Sequence, residues 1–218
     1  MRQSRIGKEE SCTVMKQFLH KGVRFVPATL IAIRFLLGPV LLWVALDCKA
    51  QHGMLYACPW FIVGFTVAFI SDVFDGIIAR RLGSVTEALR EYDGWVDTWF
   101  YCWIAVSAWL THTATILAFR LPLLLVFSTQ LLAWIIDWIK YRRFSNYHAY
   151  SSKAWGVTLF VACIALFGFD YAGITLWFTI IVGIISHMEE IAMTLTLPRW
   201  TYDVPSIVHA LRIRQQEI

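Results

Sequence analysis

Long apolar runs separated by short polar segments dominate the chain. Six of them are close to the roughly 20 residues that a helix needs to cross about 30 Å of hydrocarbon. Unsatisfied backbone groups are too costly in lipid for anything but helices or closed barrels, and runs this long do not alternate as barrel strands do. The pattern therefore predicts an all-α fold, a polytopic membrane helix bundle. Its six transmembrane helices are expected over 25–47, 54–79, 94–119, 121–139, 154–170 and 174–197.

The basic residues predict how this bundle is oriented. With a cytoplasmic N-terminus, the cytoplasmic segments hold 16 of the 19 lysines and arginines. The other side holds only Lys49 and Arg120, and Arg34 lies within the first span. So large an asymmetry follows the positive-inside rule. Both termini are therefore predicted to be cytoplasmic.

Composition supports a single membrane domain. Of the 218 residues, 58% are hydrophobic and 16% are charged, whereas soluble domains have about 45–50% apolar and about 25% charged residues. This excludes a soluble enzyme, a disordered chain and a nucleic-acid binder. We expect a cytoplasmic leader over 1–24, either a short interfacial helix or a solvated basic segment, a six-span catalytic domain over 25–197 and a cytoplasmic tail over 198–218.

The five cysteines are an odd number and include no Cys-x-x-Cys pair. The sequence therefore predicts neither a disulfide framework nor a zinc site. We interpret the cysteines as small apolar residues or incidental thiols.

Four aspartates mark the candidate chemistry, because carboxylates within spans are costly and indicate function. Asp72 and Asp75 share one helical face near the end of the second span, and Asp93 and Asp97 share a face at the start of the third. A cytoplasmic loop joins the two spans, so both pairs are expected at the same depth. Four converging carboxylates repel each other unless cations neutralise them. Mg²⁺ bridges carboxylates to substrate phosphates, and paired metals assist phosphoryl displacement.

The segment from Asp72 to Asp97 reads DVFDGIIAR, twelve further residues and then DGWVD. It resembles the signature of the CDP-alcohol phosphotransferase family, D-x2-D-G-x2-A-R-x8-G-x3-D-x3-D, and matches seven of its eight defined positions. The departure is Leu89, which stands where the family has a glycine. A bulkier side chain there is expected to crowd the backbone or nucleotide that glycine lets approach.

The resemblance implies a role for each matching residue. The metal ligands would be Asp72, Asp75, Asp93 and Asp97, holding Mg²⁺ or Mn²⁺, with Asp97 also the general base. The CDP moiety would be bound by Asp72, Gly76, Ala79 and Arg80. In the first span, PATLIAIR is similar to a family segment and retains Arg34. Arg34 would pair with the carboxylates or a substrate phosphate, or else snorkel toward the interface.

The connection after the fourth span suggests how the acceptor is bound. Arg142, Arg143 and Lys153 form either an anion pocket for a phosphorylated polyol such as glycerol 3-phosphate, or simple positive-inside anchors. Against the anion pocket, the acidic residues near the cytoplasmic ends of spans favour an amine such as serine or choline; they are Asp137, Glu189 and Glu190.

Taken together, the resemblance implies an integral membrane phosphatidyltransferase of phospholipid biosynthesis. It would move a phosphatidyl group from CDP-diacylglycerol to a small alcohol acceptor and release CMP. Membrane lipids are the expected surroundings, in a bacterial inner membrane with the active site on the cytoplasmic side, and the family implies a homodimer. Two alternatives remain: a cation transporter that uses the acidic cluster, and a relative whose activity is lost or altered by Leu89.

Overall fold

The computed structural model describes residues 26–52, 58–81, 87–145 and 147–216, with their side chains except those at 26–28, 52, 75–81 and 87–90. All regular structure in these ranges is helical, which confirms the all-α prediction. The helices are α1 (Val26–His52), α2 (Pro59–Arg81), α3 (Glu87–Thr111), α4 (Thr113–Ala118), α5 (Arg120–Tyr141), α6 (Tyr150–Phe169), α7 (Gly173–Thr196) and α8 (Ile207–Gln216).

Four of these helices, α1, α5, α6 and α7, are long and apolar enough to cross a membrane. In α2 the apolar part is the shorter Pro59–Phe74, and the N-terminal half of α3 carries charged residues that include Asp93 and Asp97. Six crossings therefore remain a prediction. The leader over 1–24 lies outside the described residues, whereas the tail over 198–218 contains α8, which packs against α7.

The third predicted span, 94–119, is not one continuous helix, because α3 ends at Thr111 and α4 begins at Thr113. His112 between them leaves helical geometry, with φ −117° and ψ 45°. Its ring is engaged on both sides: Nδ1 lies 2.8 Å from the Thr111 hydroxyl, and Nε2 lies 3.6 Å from a carboxylate oxygen of Asp170. Apolar content alone does not reveal such a polar break.

The interpretation of all five cysteines as unpaired was wrong, because Cys48 and Cys58 form a disulfide. Their Cα atoms are 5.9 Å apart, within the usual range for a disulfide. The bond links the end of α1 to the start of α2. Near it, Lys49 Nζ donates a hydrogen bond to the carbonyl oxygen of Leu110 at 2.7 Å. This end of the bundle is tied both covalently and by hydrogen bonds.

Helix α1 packs against both α2 and α3, which fixes its depth in the bundle. Gly38 allows the close approach of α3, since a Cβ atom there would lie 2.8 Å from Trp103 Cδ1. One turn earlier along α3, Trp99 Nε1 donates a hydrogen bond to the carbonyl oxygen of Phe35 at 3.2 Å. Small residues and interhelical hydrogen bonds are the usual means of joining helices in lipid. These contacts hold Arg34, which precedes Phe35, against the start of α3.

Candidate active site

Arg34 joins three of the four predicted aspartates. Its Nη2 atom lies 2.8 Å from Asp72 Oδ1, and its Nη1 atom lies 3.4 Å from Asp93 Oδ1 and also contacts Asp97 Oδ1. The three carboxylates come from α2 and α3, and the guanidinium comes from α1. The predicted convergence of the second and third spans is therefore present for these residues, and α1 supplies the cation at their centre.

The site is buried on the arginine side and open on part of the carboxylate side. Arg34 is 2% exposed, whereas the side chains of Asp72 and Asp97 are 38% and 31% exposed. Of the two roles expected for Arg34, the structure shows pairing with the carboxylates rather than snorkelling toward the interface. A planar fork of donors suits several carboxylates better than a lysine would. The exposed carboxylate faces leave room for a ligand.

The three carboxylates suit a hard divalent cation. One oxygen from each of Asp72, Asp93 and Asp97 lies within 4.8 Å of the others. Oxygens around an octahedral Mg²⁺ lie about 2.0–2.1 Å from the ion, so the furthest pair is about 4.2 Å apart. Neighbouring ligands in the same geometry are about 2.9 Å apart, so the three oxygens would draw closer together around such an ion. With three negative charges and one positive charge, the group has a net charge of −2, which one divalent ion cancels.

The remaining motif residues lie on helical backbone, but their side chains fall outside the described residues. Asp75, Gly76, Ala79 and Arg80 follow Asp72 along α2. Leu89 is in the first turn of α3, and its backbone is helical. The predicted roles of these five residues therefore stay predictions.

The three predicted acceptor cations lie in or after the loop between α5 and α6, and all three are exposed. Arg142 ends α5 in the left-handed conformation, with φ 56°. The guanidinium of Arg143 lies 5.4 Å from the ring centroid of Trp200, and Lys153 Nζ lies 5.5 Å from that of Tyr150. Aromatic contacts of this kind stabilise cations by about 0.5–1 kcal/mol at exposed sites.

Sequence reasoning missed the contact that joins this basic loop to the carboxylates. The ring of Phe144, next to Arg143, packs edge-on against the ring of Trp95 with centroids 5.3 Å apart. Trp95 lies between Asp93 and Asp97 on α3. The loop that carries Arg142 and Arg143 therefore lies beside the acidic end of α3. No spacing rule links residues 95 and 144, so only the ring contact in the structure reveals this.

Asp137 is a buried carboxylate that holds the same loop. It is 1% exposed and accepts hydrogen bonds from the Thr194 hydroxyl at 2.7 Å and from the Ser145 backbone N–H at 2.9 Å. Tyr147 completes the chain, with its hydroxyl 2.9 Å from that of Thr194. The single Thr194 hydroxyl proton goes to Asp137, so the Tyr147 hydroxyl is the donor to Thr194. Burial raises the pKa of Tyr147, which keeps this donor protonated. Asp137 therefore stabilises the loop between α5 and α6 by joining it to α7.

Glu189 also has a structural partner, because it accepts a hydrogen bond from the Ile207 N–H at 3.1 Å, at the start of α8. A carboxylate at a helix N-terminus satisfies a backbone donor that would otherwise lack one. Two of the three acidic residues expected to attract an amine are therefore occupied within the protein.

Comparison with known families gives one match. The family model described as CDP-alcohol phosphatidyltransferase matches residues 24–185. This range contains Arg34, the four aspartates and the basic loop. No curated protein and no solved structure gives a significant match to the chain.

Proposed function

Because this chain belongs to the CDP-alcohol phosphatidyltransferase family, we propose that it transfers a phosphatidyl group from CDP-diacylglycerol to an alcohol and releases CMP. The family makes the chain a transferase of substituted phosphate groups. The observation that carries the specific proposal is the convergence of Asp72, Asp93 and Asp97 around one buried arginine. A lipid-linked donor suits a site at the end of apolar helices, since donor and product both stay in the membrane.

The proposed reaction is a displacement at the phosphorus that carries diacylglycerol. The carboxylate of Asp97 takes the proton of the acceptor hydroxyl, the acceptor oxygen bonds to that phosphorus, and the bond to the CMP oxygen breaks. Asp72, Asp93 and Asp97, with Asp75 from the motif, would hold Mg²⁺ or Mn²⁺. When bound, such an ion neutralises charge on the pyrophosphate. Orientation and charge neutralisation supply most of the rate enhancement in phosphoryl transfer.

The CDP moiety is proposed to lie along α2, following the family motif. Gly76 and Ala79 would leave that face shallow, and Arg80 would bind phosphate oxygens with its planar fork. The partial exposure of Asp72 at the same end of α2 supports this location.

For the acceptor, we favour a phosphorylated polyol such as glycerol 3-phosphate over serine or choline. The contact of Phe144 with Trp95 supports this choice, because it places the end of the basic loop beside the acidic end of α3. Lys153, in the first turn of α6, adds a third cation. The internal hydrogen bonds of Asp137 and Glu189 count against an amine pocket.

We further propose a bacterial inner-membrane location, with the carboxylate end facing the cytoplasm. The asymmetry of basic residues supports this orientation. The disulfide supports it independently, because Cys48 and Cys58 lie at the ends of α1 and α2 away from Arg34 and Asp72. Disulfides persist in the periplasm and are rare in the cytosol. The homodimer remains an expectation from the resemblance.

The test is CMP release from CDP-diacylglycerol by the purified protein, with a panel of acceptors. We expect activity with Mg²⁺ or Mn²⁺, none in EDTA, and turnover with glycerol 3-phosphate. Asp97→Asn is expected to lower kcat by about 10²–10⁴, the usual contribution of a general base. The matched control is Asp47→Asn, an exposed carboxylate at the other end of α1.

Each outcome bears on a different part of the proposal. Turnover with serine or choline but none with glycerol 3-phosphate would contradict the anionic pocket alone. Full activity in chelator would contradict the metal requirement. A transporter would release no CMP with any acceptor, and would instead move Mn²⁺ across proteoliposome membranes.

A further inference from the structure

We propose that Arg34 is a built-in counter-ion that competes with the divalent cation for the carboxylates and so sets the affinity of the site for metal. The inference rests on the proposed metal-dependent function, which concerns the same site. It goes further by assigning to an α1 residue, outside the aspartate motif, control over how tightly metal is held.

The first observation is that the guanidinium lies among the candidate ligands rather than beside them. Nη2 contacts Asp72, and Nη1 contacts Asp93 and Asp97, so two nitrogens engage all three carboxylates of the group. An ion that uses any of these three Oδ1 atoms has to share it with an Arg34 N–H group or displace that group. Metal binding through these atoms and the Arg34 contact therefore compete.

The second observation is that Arg34 is buried on a helix that is held in place. It is 2% exposed, and the helix that carries it is held by the Gly38–Trp103 contact and by the bond from Trp99 to the Phe35 carbonyl. A displaced guanidinium therefore stays near the bound ion and repels it, because like charges interact strongly where water is partly excluded. Arg34 lowers metal affinity both by occupying the ligands and by its charge.

The third point concerns the protein before metal binds. Without it, three carboxylates within 4.8 Å of one another would carry a charge of −3 in a partly buried site before metal binds. Unpaired buried charges are strongly destabilising. Arg34 thus stabilises the metal-free protein at the cost of weaker metal binding. The opposite model, in which Arg34 preorganises the ligands and strengthens metal binding, predicts the opposite sign.

The experiment measures Mn²⁺ binding to the purified protein by electron paramagnetic resonance of free Mn²⁺, without reference to activity. We expect Arg34→Gln to lower the Kd for Mn²⁺ by about tenfold or more, with a smaller decrease in Arg34→Lys, which keeps the charge but loses the fork. Arg120→Gln is the matched control, an exposed arginine at the start of α5, and its Kd should equal that of the wild type. In thermal unfolding, Arg34→Gln should have a lower Tm without metal and a larger rise in Tm with Mn²⁺.

Unchanged or weaker Mn²⁺ binding by Arg34→Gln, in a protein whose wild type binds Mn²⁺, would overturn the inference and leave the proposed function intact. If neither the wild-type protein nor any variant binds Mn²⁺, both the proposed metal-dependent function and this inference are refuted. If Arg34→Gln cannot be purified, the Kd of Arg34→Lys for Mn²⁺ provides the test. Tighter Mn²⁺ binding than in the wild type supports competition, and unchanged or weaker binding refutes it.

Discussion

The hydroxyl of Thr194 on α7 is expected to be the most sensitive single group that holds the basic loop. Thr194→Val removes it while preserving the shape of the side chain. That hydroxyl donates to Asp137 at 2.7 Å and accepts from Tyr147 at 2.9 Å. Asp137 and Tyr147 are 1% and 3% exposed, so water does not readily replace the lost partner. The substitution therefore affects two buried groups at once.

The expected cost follows from these two bonds. A hydrogen bond to a charged group contributes about 1.5–3 kcal/mol, and a neutral one contributes about 1 kcal/mol. Losing both lowers the free energy of unfolding by about 3 kcal/mol. For a chain of this size that corresponds to a decrease in Tm of about 6–12 °C. Thr196→Val is the matched control on the same helix, because among the described residues the Thr196 hydroxyl bonds only the carbonyl of Ala192 in its own helix. Its effect should stay within about 0.5 kcal/mol.

The assay is thermal unfolding of the purified protein in one detergent, followed by tryptophan fluorescence, since Trp138 and Trp200 both lie at this loop. A double-mutant cycle with Tyr147→Phe adds a second measurement. Because Tyr147 and Thr194 share one bond, their effects should be less than additive by about 1 kcal/mol. A Tm for Thr194→Val that matches Thr196→Val, or strict additivity with Tyr147→Phe, would refute the assignment of Thr194 as the centre of this network.

Two further predictions concern the disulfide and the departure from the family motif. Cys58→Ser should lower the free energy of unfolding by about 3 kcal/mol, the loop-closure value for a ten-residue separation, whereas Cys102→Ser, a free exposed cysteine, should be neutral. In intact cells, a membrane-impermeant reductant should open the disulfide, and a membrane-impermeant maleimide should then label Cys48 and Cys58. Labelling only after the membrane is permeabilised would reverse the proposed orientation. Leu89→Gly should not tighten CDP binding, because position 89 lies in a regular first turn of α3 where the backbone does not require glycine. Calorimetric titration with CDP checks this, and a tenfold gain in affinity, about 1.4 kcal/mol, would show that Leu89 obstructs the nucleotide.

Apolar run length predicted the helices well, because helix is the only open-chain solution for long apolar segments in lipid. It failed at His112, where one polar side chain interrupts a run whose average composition is still apolar. It also missed the disulfide, since pairing of Cys48 with Cys58 depends on how α1 and α2 are aligned rather than on a cysteine motif. Local composition predicts which segments are helical, whereas breaks and cross-links depend on neighbouring helices.

In the candidate site, too, some features were predictable from the sequence and others depend on the packing of neighbouring helices. Carboxylate spacing predicted that Asp72 would meet Asp93 and Asp97, because i, i+3 and i, i+4 positions share a helical face. The sequence left two partners open for Arg34, and the packing of α1 against α2 and α3 places it on the carboxylates. The roles of Asp137 and Thr194 were not foreseen. A buried carboxylate that organises a loop looks, in sequence, the same as one that waits for a substrate amine.

The alignment of α1 with α2 connects the disulfide to the active-site end. Arg34 and Cys48 are 14 residues apart on α1, and Cys58 and Asp72 are also 14 residues apart on the segment that runs back. At 1.5 Å per residue, both intervals measure about 21 Å, so the disulfide and the Arg34–Asp72 ion pair fit one antiparallel alignment. Gly64 and Leu41 meet between these two ties, where a Cβ atom on Gly64 would lie 2.8 Å from Leu41 Cδ2. A shift of α1 by one residue would move Arg34 by about 1.5 Å along the helix and rotate it by about 100°, away from the carboxylates. The covalent bond at the far end therefore helps to keep the guanidinium opposite Asp72.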